Sequence, residues 1–208
     1  VLDLSGAVGA AARRAPSIIS IKAEVKGKAA HAGFEPERGI HAIAVAAEAV
    51  TRLSMGHVDE DTTFNIGTIN GGTATNIVPD RCVVTGEIRS YDHSKALEHV
   101  KNTEKIFAEE ADKAEATAEV THQVHLVAYE TPVESRTVKD FLKACEKTGL
   151  PGTLTETFGG SDNNSFAKHG IEGLVLSCGM YQAHSTNEYT KIKDLYDGAE
   201  LIRTLIEL

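Results

Sequence analysis

The chain has 208 residues, 41% of them apolar and 25% charged, with a formal net charge of −9 at pH 7. An acidic chain without a basic cluster lacks the phosphate-facing stripe that a nucleic-acid surface needs, so nucleic acid is excluded as a partner. No apolar run approaches the roughly 20 residues that span a bilayer, and no charged–apolar–small leader opens the chain. No membrane partner is therefore expected, and the location expected is cytoplasmic. Cys82, Cys145 and Cys178 are widely spaced, without a C-x-x-C pair, and read as reduced thiols.

Val1-Leu2-Asp3-Leu4 opens on apolar residues as though in mid-element, which reads as a fragment or a cleaved chain. Residues 1–16 read as a strand end followed by a Gly/Ala loop. From about Ser17, the alternation of Ile19, Ile21, Ala23 and Val25 predicts a strand. The loop Lys26–Phe34 carries His31. Pro36 then opens a helix running to about Leu53, with Ile40, Ile43, Ala47 and Val50 on one face. Thr62–Asn70 is a second strand, ended by the turn signal Asn70-Gly71-Gly72-Thr73. Thr75–Pro79 is an irregular connection, because proline disfavours a central ladder position. Cys82–Arg89 is a third strand. Ser94 is read as the cap of a second helix with Leu97, Val100, Phe107 and Ala111 facing inward. Ala116–Val127 is a fourth strand. The order β-α-β-β-α-β over 17–127 is ferredoxin-like, two helices on one face of a four-stranded antiparallel sheet, and its open edge and helix face suit dimerisation.

After Pro132 the texture changes. Ser135 caps a helix with Val138, Phe141, Leu142 and Cys145 on its apolar face, stopped at Gly149. Thr153–Thr157 is a short strand, and Phe158–Asn164 is a glycine-rich loop opening a short helix. Glu172–Ser177 is a buried strand. A final helix carries Ile192, Leu195, Ala199, Ile202 and Leu205. This run has the form of a doubly wound sheet. Parallel sheets bury both faces and rarely stand on two strands, so further strands are expected upstream of residue 1.

His184 falls in a loop at the carboxyl end of a strand, where open α/β sheets place ligands; an imidazole there ligates a metal or shuttles a proton. Asp3, between two leucines, is either a metal-bound or paired carboxylate or simply an exposed chain end. Carboxylate plus imidazole is a usual mixed ligand set for zinc. His31 sits among small residues that allow close approach, or is a solvated loop histidine. Asn76 and Arg89 suit recognition of a carboxylate, against the alternatives of a turn asparagine and a surface arginine. Asp162, behind Gly159 and Gly160, has helix capping as its simplest role. His122 and His125 point to opposite strand faces, and His41, His57, His93, His99 and His169 show no partner pattern. There is no nucleotide-binding glycine loop, nucleophile elbow or zinc-finger spacing.

Five motifs occur in order: Gly27-Lys28-Ala29-Ala30-His31-Ala32-Gly33 with Pro36 and Gly39; Gly71-Gly72-Thr73-Ala74-Thr75-Asn76-Ile77-Val78-Pro79; Gly86-Glu87-Ile88-Arg89; Gly159-Gly160-Ser161-Asp162; and His184-Ser185-Thr186-Asn187-Glu188-Tyr189. With them the chain resembles, nearly end to end, the peptidase T-like branch of the metallopeptidase family that also holds carboxypeptidase G and aminoacylase. The resemblance implies an α/β class protein: residues 1–16 as the end of a catalytic-domain strand and linker, 17–127 as a ferredoxin-like lid that forms a homodimer, and 128–208 as the C-terminal part of the catalytic domain. It implies two divalent metal ions, zinc or alternatively cobalt or manganese, with Asp3 and His184 as ligands. It further implies that His31 helps polarise the scissile carbonyl in the partner subunit's site. Asn76, Arg89, Gly160 and Asp162 are then assigned to substrate binding.

The family's H-x-D histidine, bridging aspartate and Glu pair have no counterpart here, so the metal site is expected to be incomplete and the chain alone inactive. Leu4 stands where glycine commonly follows the metal aspartate, and Phe158 where the tripeptidase has an arginine. The implied activity is hydrolysis of short peptides, of the di- or tripeptide aminopeptidase type, by a two-metal-activated water. The alternatives are an amidohydrolase acting on N-acyl amino acids and a non-catalytic dimerisation or binding module. A lone ferredoxin-like regulatory domain leaves the C-terminal motifs idle.

Overall fold

The computed structural model describes residues 1–208, and its elements in chain order are β1 (Leu2–Ser5), β2 (Ala10–Ala15), β3 (Ser17–Lys26), α1 (Ala42–Thr51), β4 (Gly56–His57), β5 (Thr62–Gly71), β6 (Arg81–Ser90), α2 (His93–Lys113), β7 (Thr117–Leu126), β8 (Tyr129–Glu130), α3 (Arg136–Thr148), β9 (Thr153–Glu156), α4 (Asp162–Lys168), β10 (Val175–Met180) and α5 (Ile192–Ile206). They form a mixed α/β structure with two sheets of five strands each. Contacts divide the chain into a unit of residues 17–125 and a unit of 1–16 with 126–208.

In the unit 17–125 the strand order is β4-β5-β6-β3-β7. β3 and β6 pair antiparallel along their whole length, from Ser17↔Ser90 to Lys26↔Arg81, and β5 pairs antiparallel on the other side of β6. The period-2 pattern of β3 sends Ile19, Ile21, Ala23 and Val25 into a core shared with Ala42, Val45, Ala46 and Ala49 of α1 and with Val100, Ile106, Phe107 and Ala111 of α2. Burying each large side chain contributes about 1.5–3 kcal/mol. Ser20, Lys22 and Glu24 alternate with these buried residues and are not buried themselves.

Two helix starts differ from expectation. Pro36 opens only a 3-10 turn, Pro36–Arg38, after which Gly39 is extended. Ile40 then pairs with Lys28 in both directions, at 3.0 and 2.9 Å, which a continuous helix would prevent. α1 begins after His41, whose Nδ1 accepts from the N–H of Ala44 at 3.2 Å. This later start shifts the buried face to Ala42, Val45, Ala46 and Ala49, and Ala47 is exposed. For α2 the cap is Asp92, not Ser94: its carboxylate accepts from the N–H groups of Ser94 and Lys95 and from the Ser94 hydroxyl. A carboxylate placed just ahead of the helix outcompetes a hydroxyl inside its first turn.

In the unit 1–16 with 126–208 the strand order is β1-β10-β2-β8, with β9 also beside β2. β1 runs parallel to β10 and β2 parallel to β9, but β2 is antiparallel to β10. The sheet is therefore mixed and has five strands, where the sequence predicts two strands and a strand end. The strands missed are the two-residue β8 and β2, Ala-Ala-Ala-Arg-Arg-Ala. Alanine carries little strand signal, yet Ala11, Ala12 and Ala15 are fully buried, and tertiary packing decides the conformation. α3 starts at Ser135, whose hydroxyl accepts from Val138 N–H at 3.2 Å, and ends at left-handed Gly149. Leu142 faces outward, and Ala144 takes the place in the core expected for it. α4 is capped by Ser161 in a capping box with Asn164, which leaves Asp162 as its first residue instead of its cap. On α5, Leu201 is the buried apolar residue, whereas Ile192 and Leu195 are 74% and 56% exposed, so the apolar stripe expected to face the core does so only in its second half.

Candidate functional site

The loop after β3 places His31. At its base the N–H of Gly27 donates to Asp80 O at 2.8 Å, and a Cβ on Gly27 would lie 2.1 Å from the carbonyl oxygen of Ile40, so only glycine lets these segments meet. His31 then forms an antiparallel bridge with Ile77, flanked by Val78 N–H to Ala30 O at 2.9 Å and Ala32 N–H to Asn76 O at 3.0 Å. The fold thus sets His31 beside Asn76, 45 residues away in the chain. Both side chains are exposed. The N–H of Gly33 donates to His31 Nδ1 at 3.1 Å. A nitrogen that accepts carries no proton, so in the neutral ring Nε2 is the protonated nitrogen, free to donate outward.

Arg89 lies elsewhere in the same unit. It is paired in register with Ile18 and Thr63, and its Nε donates to Glu87 Oε1 at 2.6 Å. The His31 and Asn76 loops leave the sheet at the other end of β6, by Arg81. Eight residues of strand at ~3.3 Å each separate the two ends by about 26 Å. The structure therefore joins His31 with Asn76 and keeps Arg89 apart from them.

In the other unit, Asp3, Gly160 and Asp162 line one open depression of about 500 Å³, together with Val1, Leu2, Leu126, Ser161 and Ser165. Asp3 is exposed, on the sheet-edge strand β1, and its carboxylate accepts no hydrogen bond. Its neighbour strand β10 runs parallel to it and leads, four residues past Met180, to His184. His184 does not line the depression.

His184 is held in a closed loop. Tyr181 and Tyr189 exchange backbone hydrogen bonds at 3.0 and 3.1 Å, and their rings stack at 5.1 Å. Lys191 Nζ lies 4.7 Å above the Tyr181 ring. Inside the loop, Glu188 Oε2 accepts from the His184 N–H at 2.9 Å, and the Ser185 hydroxyl donates to Gln182 O at 2.8 Å. Gln182 and His184 adopt φ of 53° and 64°, unusual for side chains of their size. Strain of this kind persists where surrounding contacts over-determine it, and it clusters at functional sites. Behind the loop, the Tyr181 phenol hydrogen-bonds the Asp194 carboxylate, which pushes its pKa up. Asp194 is 8% exposed and its Oδ2 is buried without a partner. Sequence reading missed Tyr181 and Asp194; the tyrosines bracketing His184 were the available signal. The His184 imidazole is exposed and makes no hydrogen bond within the chain.

Asp3 and His184 therefore fit a divalent metal as uncommitted carboxylate and imidazole donors. No group of three or more His, Cys, Asp or Glu side chains is gathered anywhere in the structure, so these donors do not form a closed site by themselves. Among the histidines given no functional role, His93 Nδ1 pairs with Ser17 Oγ at 2.9 Å, and His125 Nε2 with Ser20 Oγ at 2.8 Å. All three cysteines are free, and no helix is long and apolar enough to cross a membrane.

Residues 15–115 match the family model of the peptidase dimerisation domain. A tripeptidase from Staphylococcus aureus superimposes with a TM-score of 0.95 at 34% identity, over 99% of this chain and 55% of that one. Aminopeptidase PepT from Bacillus cereus superimposes at 0.93 with 36% identity, again over 99% and 55%. The uncharacterized protein YqjE of Bacillus subtilis is 38% identical over 99% of this chain and 56% of its own length. The fold and these likenesses define a mixed α/β protein that contains a peptidase dimerisation domain. The chain carries the dimerisation domain of the M20 peptidases, and carboxypeptidase G2 and acetylornithine deacetylase are relatives at 27% identity. It spans about half the length of the curated relatives it matches.

Proposed function

We propose that these residues are part of a two-metal hydrolase of short peptides, of the di- or tripeptide aminopeptidase type. The observation that carries this reading is the pair of uncommitted donors, Asp3 and His184, on and beyond the adjacent parallel strands β1 and β10. Divalent ions at such a site supply a water of lowered pKa as nucleophile. Zinc suits a carboxylate–imidazole donor set, with cobalt or manganese as alternatives. The strained, closed loop presents the His184 imidazole without an intramolecular hydrogen bond to break first.

His31 offers a neutral Nε2–H donor, which suits a carbonyl oxygen that gains negative charge as the amide is attacked. Arg89 offers a guanidinium to a substrate carboxylate, and the Asn76 amide adds a donor and an acceptor. About 26 Å of strand separates the Arg89 end of the sheet from the His31 end, too far for one short peptide to touch both within a single chain. That spacing, with the dimerisation-domain match, supports a homodimer in which one copy supplies His31 and Asn76 to the other's site. Gly160 and Asp162, beside Asp3, serve substrate binding in this reading.

The test is a panel of dipeptides, tripeptides and N-acyl amino acids, assayed with the full-length wild-type protein and its His31→Ala variant. Peptide hydrolysis is expected, reduced at least about 100-fold in the variant with metal content unchanged. Cleavage of N-acyl amino acids alone moves the substrate to acylated amino acids, a reading favoured by the likeness to acetylornithine deacetylase. Cleavage of no member leaves a non-catalytic dimerisation module.

A further inference from the structure

Phe34 stands three residues after His31 and is 83% exposed. Single exposed apolar side chains are ordinary on a protein surface. This one is placed: its ring centroid lies 4.3 Å from that of the His31 imidazole, with the planes tilted by 31°. The loop enforces the pairing. The N–H groups of Phe34 and Glu35 donate to His31 O at 3.2 and 3.1 Å, so the chain turns back on itself directly after the histidine. Gly33 N–H holds Nδ1 from the same side of the turn. The phenyl thus covers one face of the imidazole and leaves Nε2–H at the ring's outer edge.

A group that accepts the Nε2 proton lies about 3 Å from that nitrogen. It is then within roughly 8 Å of the phenyl centroid, given the 4.3 Å between the rings. That distance is spanned by one amino-acid side chain. Glu35, the charged residue directly after Phe34, is neutralised by Arg38 in an ion pair at 2.5 Å and so does not oppose an apolar neighbour. Transfer of such a side chain from water onto the phenyl removes apolar surface from both.

We propose that Phe34 is the wall of an apolar subsite, taking an aliphatic or aromatic side chain that flanks the amide on which His31 acts. This rests on the reading of His31 as a donor to the scissile carbonyl. The subsite makes the protein select apolar over polar residues beside the scissile bond.

The test compares the full-length wild type with its Phe34→Ala, Phe34→Leu and His31→Ala variants on matched pairs: Leu-Gly-Gly against Ser-Gly-Gly, Gly-Leu-Gly against Gly-Ser-Gly, and N-acetyl-leucine against N-acetyl-serine. Phe34→Ala is expected to lower the apolar-to-polar ratio of kcat/KM about tenfold in at least one pair, mainly through KM, and Phe34→Leu to restore most of it. His31→Ala is expected to lower both members of a pair alike. If His31→Ala has no effect while Phe34→Ala still lowers the ratio, the role given to His31 fails and the subsite stands. If peptides resist and the acetylated pair is cleaved, the ratio is read there, and only the peptidase reading fails. An unchanged ratio in every pair overturns the subsite. So does an equal fall in both members accompanied by dissociation to monomers in sedimentation velocity, which assigns Phe34 to a subunit contact. Absence of hydrolysis throughout overturns both readings.

Discussion

The backbone N–H of Gly33 lies 3.1 Å from Nδ1 of His31 and donates to it. This one contact decides which imidazole nitrogen carries the proton, and so whether the ring offers a donor or an acceptor outward. A Cβ at position 33 would lie 3.5 Å from His31 Cε1, an ordinary contact. Gly33→Ala is therefore expected to preserve the tautomer. Gly33→Pro deletes the N–H and is expected to yield a mixture of tautomers. Long-range proton–nitrogen spectra of His31 distinguish the two outcomes directly, and turnover is expected to fall only in the proline variant.

Asn164 holds together the two chain segments that border residues 17–125. Its Nδ2 donates to Pro16 O at 3.2 Å and Val127 O at 2.9 Å, and its Oδ1 accepts from Ser161 N–H at 3.1 Å, with the residue 1% exposed. Asn164→Asp retains the acceptor that completes the helix cap but loses both donations. Each orphaned buried group costs about 1–3 kcal/mol. Urea unfolding of Asn164→Asp is expected to show a lowered midpoint, close to that of Asn164→Ala. A midpoint equal to wild type shows that the cap alone matters.

Glu110 on α2 accepts from Lys113 Nζ at 2.7 Å and from Arg52 Nη1 at 2.5 Å. These two contacts, Lys113 first, hold its carboxyl below the usual range, and Arg52 does the same for Glu109. A folded pKa below the unfolded one means that the stabilisation is present above the unfolded value, near 4.3, and is lost as pH falls through the folded value. Denaturant midpoints are expected to drop as pH is lowered from about 5. Glu110→Gln is expected to be less stable at pH 7 and to show a shallower acid dependence than wild type.

Tyr181→Phe keeps the ring stack with Tyr189 but removes the phenol that bonds to Asp194. The loop that carries His184 then loses the anchor between its first residue and α5. Amide hydrogen exchange at Tyr189 and His184 is expected to quicken severalfold, with exchange in β3 and β6 unchanged. Equal protection in both proteins indicates that the backbone bridge suffices.

The ferredoxin-like unit was legible because its signals are local and periodic. β3 alternates strictly, α2 repeats its apolar positions over 21 residues, and Asn70-Gly71-Gly72 marks the strand end. β2 was not legible, since alanines become a central strand only through what packs on them. The break at Gly39–Ile40 was hidden for a similar reason: it depends on pairing with Lys28 across a turn. In the candidate site, residue identity pointed to His31 and Asn76, but their adjacency comes from the His31↔Ile77 bridge, which no spacing announces. The support behind His184 was illegible for the same reason, as Asp194 reaches Tyr181 from the first turn of α5.

The central claim is that Asp3 and His184 are metal ligands. Its most direct test is metal content by elemental analysis of the full-length protein, wild type against His184→Ala and Asp3→Ala, with circular dichroism confirming that all three fold. The account predicts two divalent ions per subunit in wild type and about one fewer in each variant. Equal metal content in all three proteins would contradict it.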